Sequence, residues 1–288
     1  MSKRHPIIAV TGSSGAGTST TGQTFSRMFA SEGIRAAMVS GDSFHRYTRE
    51  QMARLAAKGQ FGERNHFALE ANHIDRLEAL LDDYSRTGEG RYRQYVHDED
   101  RELAAAGFKP GTFTPWRALP PDTDLLFYEG LHGGVVSENY NIAQYVDLLI
   151  GVVPIVNLEW IQKIHRDTNH RGYSSEAVVK TIINRMDDYV RDIVPQFSHT
   201  HINFQRIPLV DTSNPFTARD VPSEDESMVV IHFRDGTDVD FAWLLQAIPH
   251  SRLSRHDTLV IPGPKMALAI DLIVRPMVQQ LMAGKAFA

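Results

Sequence analysis

The chain has 288 residues, a formal net charge of −5 and no cysteine. The mildly negative charge argues against a general nucleic-acid or membrane-surface role, and the lack of cysteine removes disulfides, thiolate metal ligands and a cysteine nucleophile. No run approaches the roughly 20 apolar residues that span a bilayer, and the first apolar run is too short for a signal-peptide core. The expectation is a cytoplasmic enzyme with neither nucleic acid nor membrane as a partner.

In chain order, Pro6 to Thr11 reads as a buried strand, short, β-branched and bounded by glycine. A helix is predicted from Thr18 to about Ser31, with Gly33 as its terminator, and a second strand over Ile34 to Ser40. Strand, helix, strand is a βαβ unit and implies a parallel sheet. Helices are predicted over 45–58 and 69–84, the latter with an apolar stripe of Leu69, Ile74, Leu77, Leu80 and Leu81. Residues 86–122, rich in Gly, Pro, Arg and aromatics, read as an insertion with short strands around Arg91 to Val96. Further strands are predicted at Leu125 to Tyr128, Val146 to Val153, Ile207 to Val210 and Met228 to Phe233. Helices are predicted at Val156 to Thr168, Ser174 to Ile193 and 264–283. The simplest account is one doubly wound α/β domain over 1–288, with an insertion and a C-terminal extension of the sheet.

Gly12-Ser13-Ser14-Gly15-Ala16-Gly17-Thr18-Ser19-Thr20 lies between the first strand and the first helix. Gly12 and Gly17 have the spacing of a phosphate loop, in which backbone N–H groups and the helix N-terminus cradle phosphates. Ser19 takes the hydroxyl position that ligates Mg²⁺, but Thr18 stands where the usual lysine should be. Another cation must therefore reach the β- and γ-phosphates. A dinucleotide fingerprint fits less well, because the glycine order is G-x-x-G-x-G and Asp42 comes too late for a ribose-binding acid. An ATP-dependent small-molecule kinase follows.

Ligands of an open parallel sheet bind at the carboxyl ends of its strands. Asp42 and Glu129 sit at two such ends. A strand-end acid holds Mg²⁺ in phosphoryl-transfer sites, and transfer to an alcohol needs a carboxylate to take the hydroxyl proton. Glu129 is assigned to the metal and Asp42 to the alcohol. Their presence argues against a catalytically quiet phosphate-loop protein. Lys163-Ile-His-Arg-Asp-Thr-Asn-His-Arg171 concentrates cations on a helix and its end. Lys163, Arg166, Asp167 and Arg171 are read as a lid over about 163–173 that supplies the charge Thr18 withholds. His45, Arg46 and Arg49 follow Asp42 and suit an anionic acceptor. Arg91, Arg93, Tyr95 and His97 are further candidates, while His132 and the tryptophans read as structural.

The assembled segments resemble the phosphoribulokinases of the proteobacterial type, within the phosphoribulokinase/uridine kinase family. The resemblance is carried by the loop, by Gly41-Asp-Ser-Phe-His-Arg46, Tyr92-Arg-Gln-Tyr-Val-His-Asp98 and Leu126-Phe-Tyr-Glu-Gly-Leu-His132. Asn157 to Asp167, Arg171-Gly-Tyr173 and Val210-Asp-Thr-Ser-Asn-Pro-Phe216 extend it over essentially the whole chain. Threonine at position 18 is usual in that group. The resemblance implies MgATP-dependent phosphorylation of the C1 hydroxyl of D-ribulose 5-phosphate, with Asp42 as base. Glu129 and Asp167 are implied at the metal and active site, and His45 and Arg49 around the sugar phosphate; Tyr95 and His97 of the insertion are further candidates for substrate binding. Lys163, Arg166 and Arg171 are implied to serve ATP and the transferring group. It also implies a homo-octamer activated by NADH through arginines. Arg255 matches one of these, whereas Ser31, Asn184 and His232 stand at others.

Overall fold

The computed structural model describes residues 5–12, 18–57, 65–169 and 172–284. Ile7–Gly12 (β1) is buried along its length because it runs in mid-sheet with both faces covered. Thr18–Ser31 (α1) returns the chain to Ala36–Ser40 (β2), and Arg49–Ala57 (α2) and Ile74–Thr87 (α3) follow. The insertion contributes Arg91–Tyr92 (β3), Arg101–Ala105 (α4) and Arg117–Ala118 (β4). The main sheet resumes with Leu125–Gly130 (β5) and Leu148–Pro154 (β6). Val156–Asn169 (α5), Ser175–Asn184 (α6) and Met186–Asp188 (α7) lead to Ile202–Pro208 (β7). Ser227–Phe233 (β8), Phe241–Ala247 (α8), Arg252–Arg255 (β9), Thr258–Pro262 (β10) and Met266–Met282 (α9) complete the described chain.

The main sheet has eight strands in the order β2-β5-β1-β6-β7-β8-β10-β9. From β2 to β7 all neighbours are parallel, and from β7 to β9 all are antiparallel. The chain leaves β1 for β2, returns to fill the gap with β5, then crosses to β6. That reversal beside β1 opens the crevice at the strand carboxyl ends where open α/β sheets bind ligands.

Alternation along the strands divides the core in two. Ile8, Val10 and Phe127 pack with Phe25, Met28 and Phe29 of α1 and with α9. Ile7, Ala9 and Tyr128 face the other way, onto Ile74, Leu77, Leu81 and Tyr84 of α3. No helix among the described residues is long and apolar enough to cross a membrane.

The doubly wound, mostly parallel sheet matches the sequence reading, but several boundaries move. The helix expected from residue 45 starts at Arg49, and the one expected from 69 starts at Ile74 after a 3₁₀ turn at Leu69–Ala71. Ser174 to Ile193 is not one helix. It breaks after Asn184, and a π turn at Tyr189–Ile193 runs into a 3₁₀ turn at Val194–Ser198. The wider turn buries Tyr189, Asp192 and Ile193 together. This lets Asp188 meet Asn65 while Asp192 accepts from the Leu69 N–H at 3.3 Å. The strand expected at Ile207 to Val210 begins at Ile202, where Ile202 and Phe204 alternate inward. The β9–β10 hairpin went unpredicted.

Phe127 is 1% exposed and its ring centroid lies 4.8 Å from that of Phe25 and 5.5 Å from that of Phe29. Phe127→Ala is expected to destabilise the fold by about 3–5 kcal/mol, measured by urea unfolding. A cost below about 1 kcal/mol would contradict this packing.

Candidate active site

At the end of β2 the Ser40 hydroxyl accepts from the Asp42 N–H at 3.3 Å and opens a 3₁₀ turn, Gly41–Phe44. Phe44 anchors the turn in the core, while the Asp42 side chain remains 39% exposed. On β5, Glu129 lies opposite Ser40 and Val10 in the ladder. Gly41 and Gly130 meet backbone to backbone. A Cβ on Gly41 would fall 2.8 Å from the Gly130 Cα and 2.7 Å from the Tyr128 hydroxyl. Only glycine permits that approach, and it brings the two acid-bearing strand ends together. The Glu129 carboxylate lies against Gly22 of α1, where a side chain would collide with it. Ser19 is one turn earlier on that helix.

Two imidazoles flank Asp42. His45 Nε2 is 3.4 Å from one carboxylate oxygen and His97 Nε2 is 3.4 Å from the other. Burial, with help from His132, His97, Arg93 and Arg185, pushes His45 down to about 3, so its ring is neutral. Its Nδ1 is buried without a hydrogen-bond partner. His66 stacks on His45 with centroids 3.8 Å apart. Burial first, and His45 second, hold His66 well below the usual imidazole range. Tyr95 sets its ring edgewise to His97 at 5.0 Å and to His45 at 6.1 Å. Arg49 donates to both oxygens of Asp98, at 2.9 and 3.0 Å. A cleft of about 260 Å³ between the insertion and the strand ends is lined by Ser40, Ser43, Tyr95, His97 and Glu129, among others.

Lys163 and Arg166 sit on α5. Lys163 pairs with Oδ2 of Asp167, and Arg166 Nε donates to Oδ1 at 3.0 Å. Burial alone pushes the Asp167 carboxyl up, but Lys163 and Arg166 outweigh it and leave it below the ordinary value. Burial and then Arg185 push Lys163 down to about 8, against the pull of Asp167. Among the described residues no group of three or more His, Asp and Glu gathers to hold a metal. Mg²⁺ binds through one or two carboxylates plus substrate phosphates. The Glu129 carboxylate beside α1 is such a donor, whereas both oxygens of Asp167 are already engaged by cations.

Thus Asp42, His45, Tyr95 and His97 converge, Arg49 joins them through Tyr95, and Glu129 stands on the adjacent strand. Ser13, Ser14, Gly15, Ala16, Gly17 and Arg171 lie outside the described residues, and Thr18, Ser19 and Thr20 are described only as the first turn of α1. Sequence reasoning missed His66, Arg185 and Gln196. The Gln196 Oε1 accepts from the Thr11 hydroxyl at 3.0 Å and the Gly134 N–H at 2.9 Å. Its amide donates to the Leu131 carbonyl at 2.9 Å and the Asp192 carbonyl at 2.7 Å. It thereby ties the root of the phosphate loop to the strand end that carries Glu129. A lone glutamine carries no local pattern that would have revealed this.

The sequence model of the Phosphoribulokinase / Uridine kinase family matches residues 7–213. The chain is 55% identical over 285 residues to "Phosphoribulokinase, chromosomal" of Cupriavidus necator, covering 98% of this chain and 97% of that one. It is 53% identical over 285 residues to "Phosphoribulokinase 1" of Cereibacter sphaeroides, covering 98% of each. The solved phosphoribulokinase from Rhodobacter spheroides superposes with a TM-score of 0.89 at 50% identity, covering 98% of this chain and 99% of that one.

The Lys163 ammonium is charged below about pH 8 and loses its proton above it. Affinity for MgATP, measured by calorimetry from pH 7 to 9.5, should therefore weaken as pH rises, with tight binding retained further up by Lys163→Arg. A pH-independent affinity in the wild type would count against Lys163 as a phosphate contact.

Proposed function

Because the chain belongs to the phosphoribulokinase/uridine kinase family, we propose that it transfers the γ-phosphoryl group of MgATP to the C1 hydroxyl of D-ribulose 5-phosphate. The product, ribulose 1,5-bisphosphate, is the CO₂ acceptor of the Calvin cycle. Full-length likeness to phosphoribulokinases carries the choice of acceptor. The adjacency of Asp42 and Glu129 at the glycine contact supports the chemistry.

Asp42 takes the C1 hydroxyl proton as general base. The neutral His45 beside it supports this role, since a charged imidazolium would hold the carboxylate in an ion pair and weaken it as a base. His45, Arg49, Tyr95 and His97 bind the sugar phosphate. Arg49 is held in the interim by Asp98, which the incoming phosphate displaces. Residues 12–20 cradle the triphosphate, with Arg171 as a further contact. Ser19 and Glu129 would hold Mg²⁺, which would neutralise charge on the β- and γ-phosphates. Lys163 and Arg166 stabilise charge on the transferring group, and Asp167 acts through them by fixing their positions. Direct metal ligation by Asp167 would require both of those pairs to open.

Homo-oligomerisation and a cytoplasmic location are proposed on family grounds. Exposed Ile183, Val190 and Val194 at and beyond α6 support self-association. NADH is proposed to have little hold on this chain. Arg255 and His232 both flank Thr258 in the sheet, but His232 faces Asp257 at 3.5 Å. At Ser31, the hydroxyl accepts from Arg275, whose charge is taken by Glu32 and Asp271.

ADP release from MgATP should depend on ribulose 5-phosphate and not on uridine or pantothenate, and silence with ribulose 5-phosphate would refute the reading. Asp42→Asn should lower kcat by about 10²–10⁴-fold while MgATP still binds by calorimetry. NADH should change the rate less than about twofold, and a larger activation would reverse the proposal on control.

A further inference from the structure

Arg93 leaves β3 inside the insertion and reaches back to the turn that carries Asp42. Its Nε donates to the Ser43 carbonyl at 2.9 Å and its Nη2 donates to the His45 carbonyl. The guanidinium lies 3.6 Å from the centroid of Phe113 and 4.9 Å from that of Trp116. Trp116 in turn packs near Phe44, with ring centroids 5.8 Å apart. Two further carbonyls of the turn are also occupied. Phe44 accepts from the His73 N–H at 2.7 Å, and Asp42 from the His45 N–H at 3.3 Å.

These contacts define what Arg93 can do. A guanidinium binds phosphate through two parallel N–H groups, and here the Nε–Nη2 edge is spent on backbone carbonyls. Aromatic faces lie against its plane. Burial, then Arg76, push Arg93 down to about 10, which leaves it a cation at neutral pH. A charge-assisted hydrogen bond to a carbonyl is stronger than a neutral one. Arg93 thus joins residues 43 and 45, on either side of Phe44 and directly after Asp42.

We propose that Arg93 is a positioning residue for Asp42: from the insertion it clamps the carbonyls of Ser43 and His45, and so sets the aim of the base and of the imidazole beside it. The proposal rests on the reading of Asp42 as base. It gives the insertion a second task, since the segment that covers the acceptor also holds the turn that activates it. A lysine cannot serve both carbonyls and stack on two rings, so the site demands arginine.

The test is steady-state kinetics of Arg93→Ala and Arg93→Lys with MgATP and ribulose 5-phosphate, alongside Asp42→Asn. A catalytic group displaced by about 1 Å loses on the order of 10²-fold in rate. Arg93→Ala should therefore lose tenfold to a hundredfold in kcat, with the KM for MgATP changed less than about twofold. Added guanidinium ion should restore part of its turnover. Arg93→Lys should fall between Ala and wild type, and it carries the test alone if the alanine variant does not fold. Unchanged kcat in both variants would overturn the proposal. So would a loss confined to the KM for ribulose 5-phosphate, the mark of direct substrate contact. Normal turnover in Asp42→Asn would instead refute the base assignment, a distinct result.

Discussion

Gly41 and Gly130 touch where β2 and β5 end, and the site depends on that contact. Two parallel strands ordinarily keep their side chains apart at the carboxyl edge. Here the missing Cβ atoms let the backbones and the Tyr128 hydroxyl close up. One acid leaves each strand beside this point, Asp42 toward His45 and His97 and Glu129 toward α1. Gln196 braces the same region from below, binding the residue before the phosphate loop and the residue after Gly130. The spacing of the two acid-bearing strand ends is thus set by backbone packing in the sheet.

A second theme is how the site stores positive charge before its two anionic substrates arrive. Asp98 engages Arg49, and Asp167 engages both Lys163 and Arg166. Burial and neighbouring charges push His45, beside Asp42, and His66, stacked on it, below the ordinary imidazole range. An internal carboxylate fixes each of these cations in place, which limits the ordering needed when phosphate binds. Arg185 acts electrostatically on Lys163, His45 and His66 alike. Helix α5 and the turn that carries Asp42 thus share one electrostatic neighbour.

Local chemistry was legible in the sequence. A glycine loop between strand and helix, acids at strand ends, and a basic helix after an apolar strand are each short-range patterns, and each lies where the βαβ rules require. The residues that sequence reading missed have in common that their partners are distant in the chain. Gln196 meets Thr11 and Leu131, and His66 meets His45 through stacking alone. The break after Asn184 was hidden for the same reason. Its local pattern favours a helix, but Asp188 and Asp192 are drawn inward by residues 65–69.

By itself the sequence determined the βαβ unit with its glycine loop, the acids at the strand ends and the cations of α5, because those features are written in residue type and spacing. Only the tertiary structure decided which acid holds which cation, that His45 is neutral, and that Arg93 serves the backbone rather than the substrate. Those outcomes depend on burial and on contacts between segments tens of residues apart. Burial alters charge and hydrogen bonding more strongly than any local propensity does.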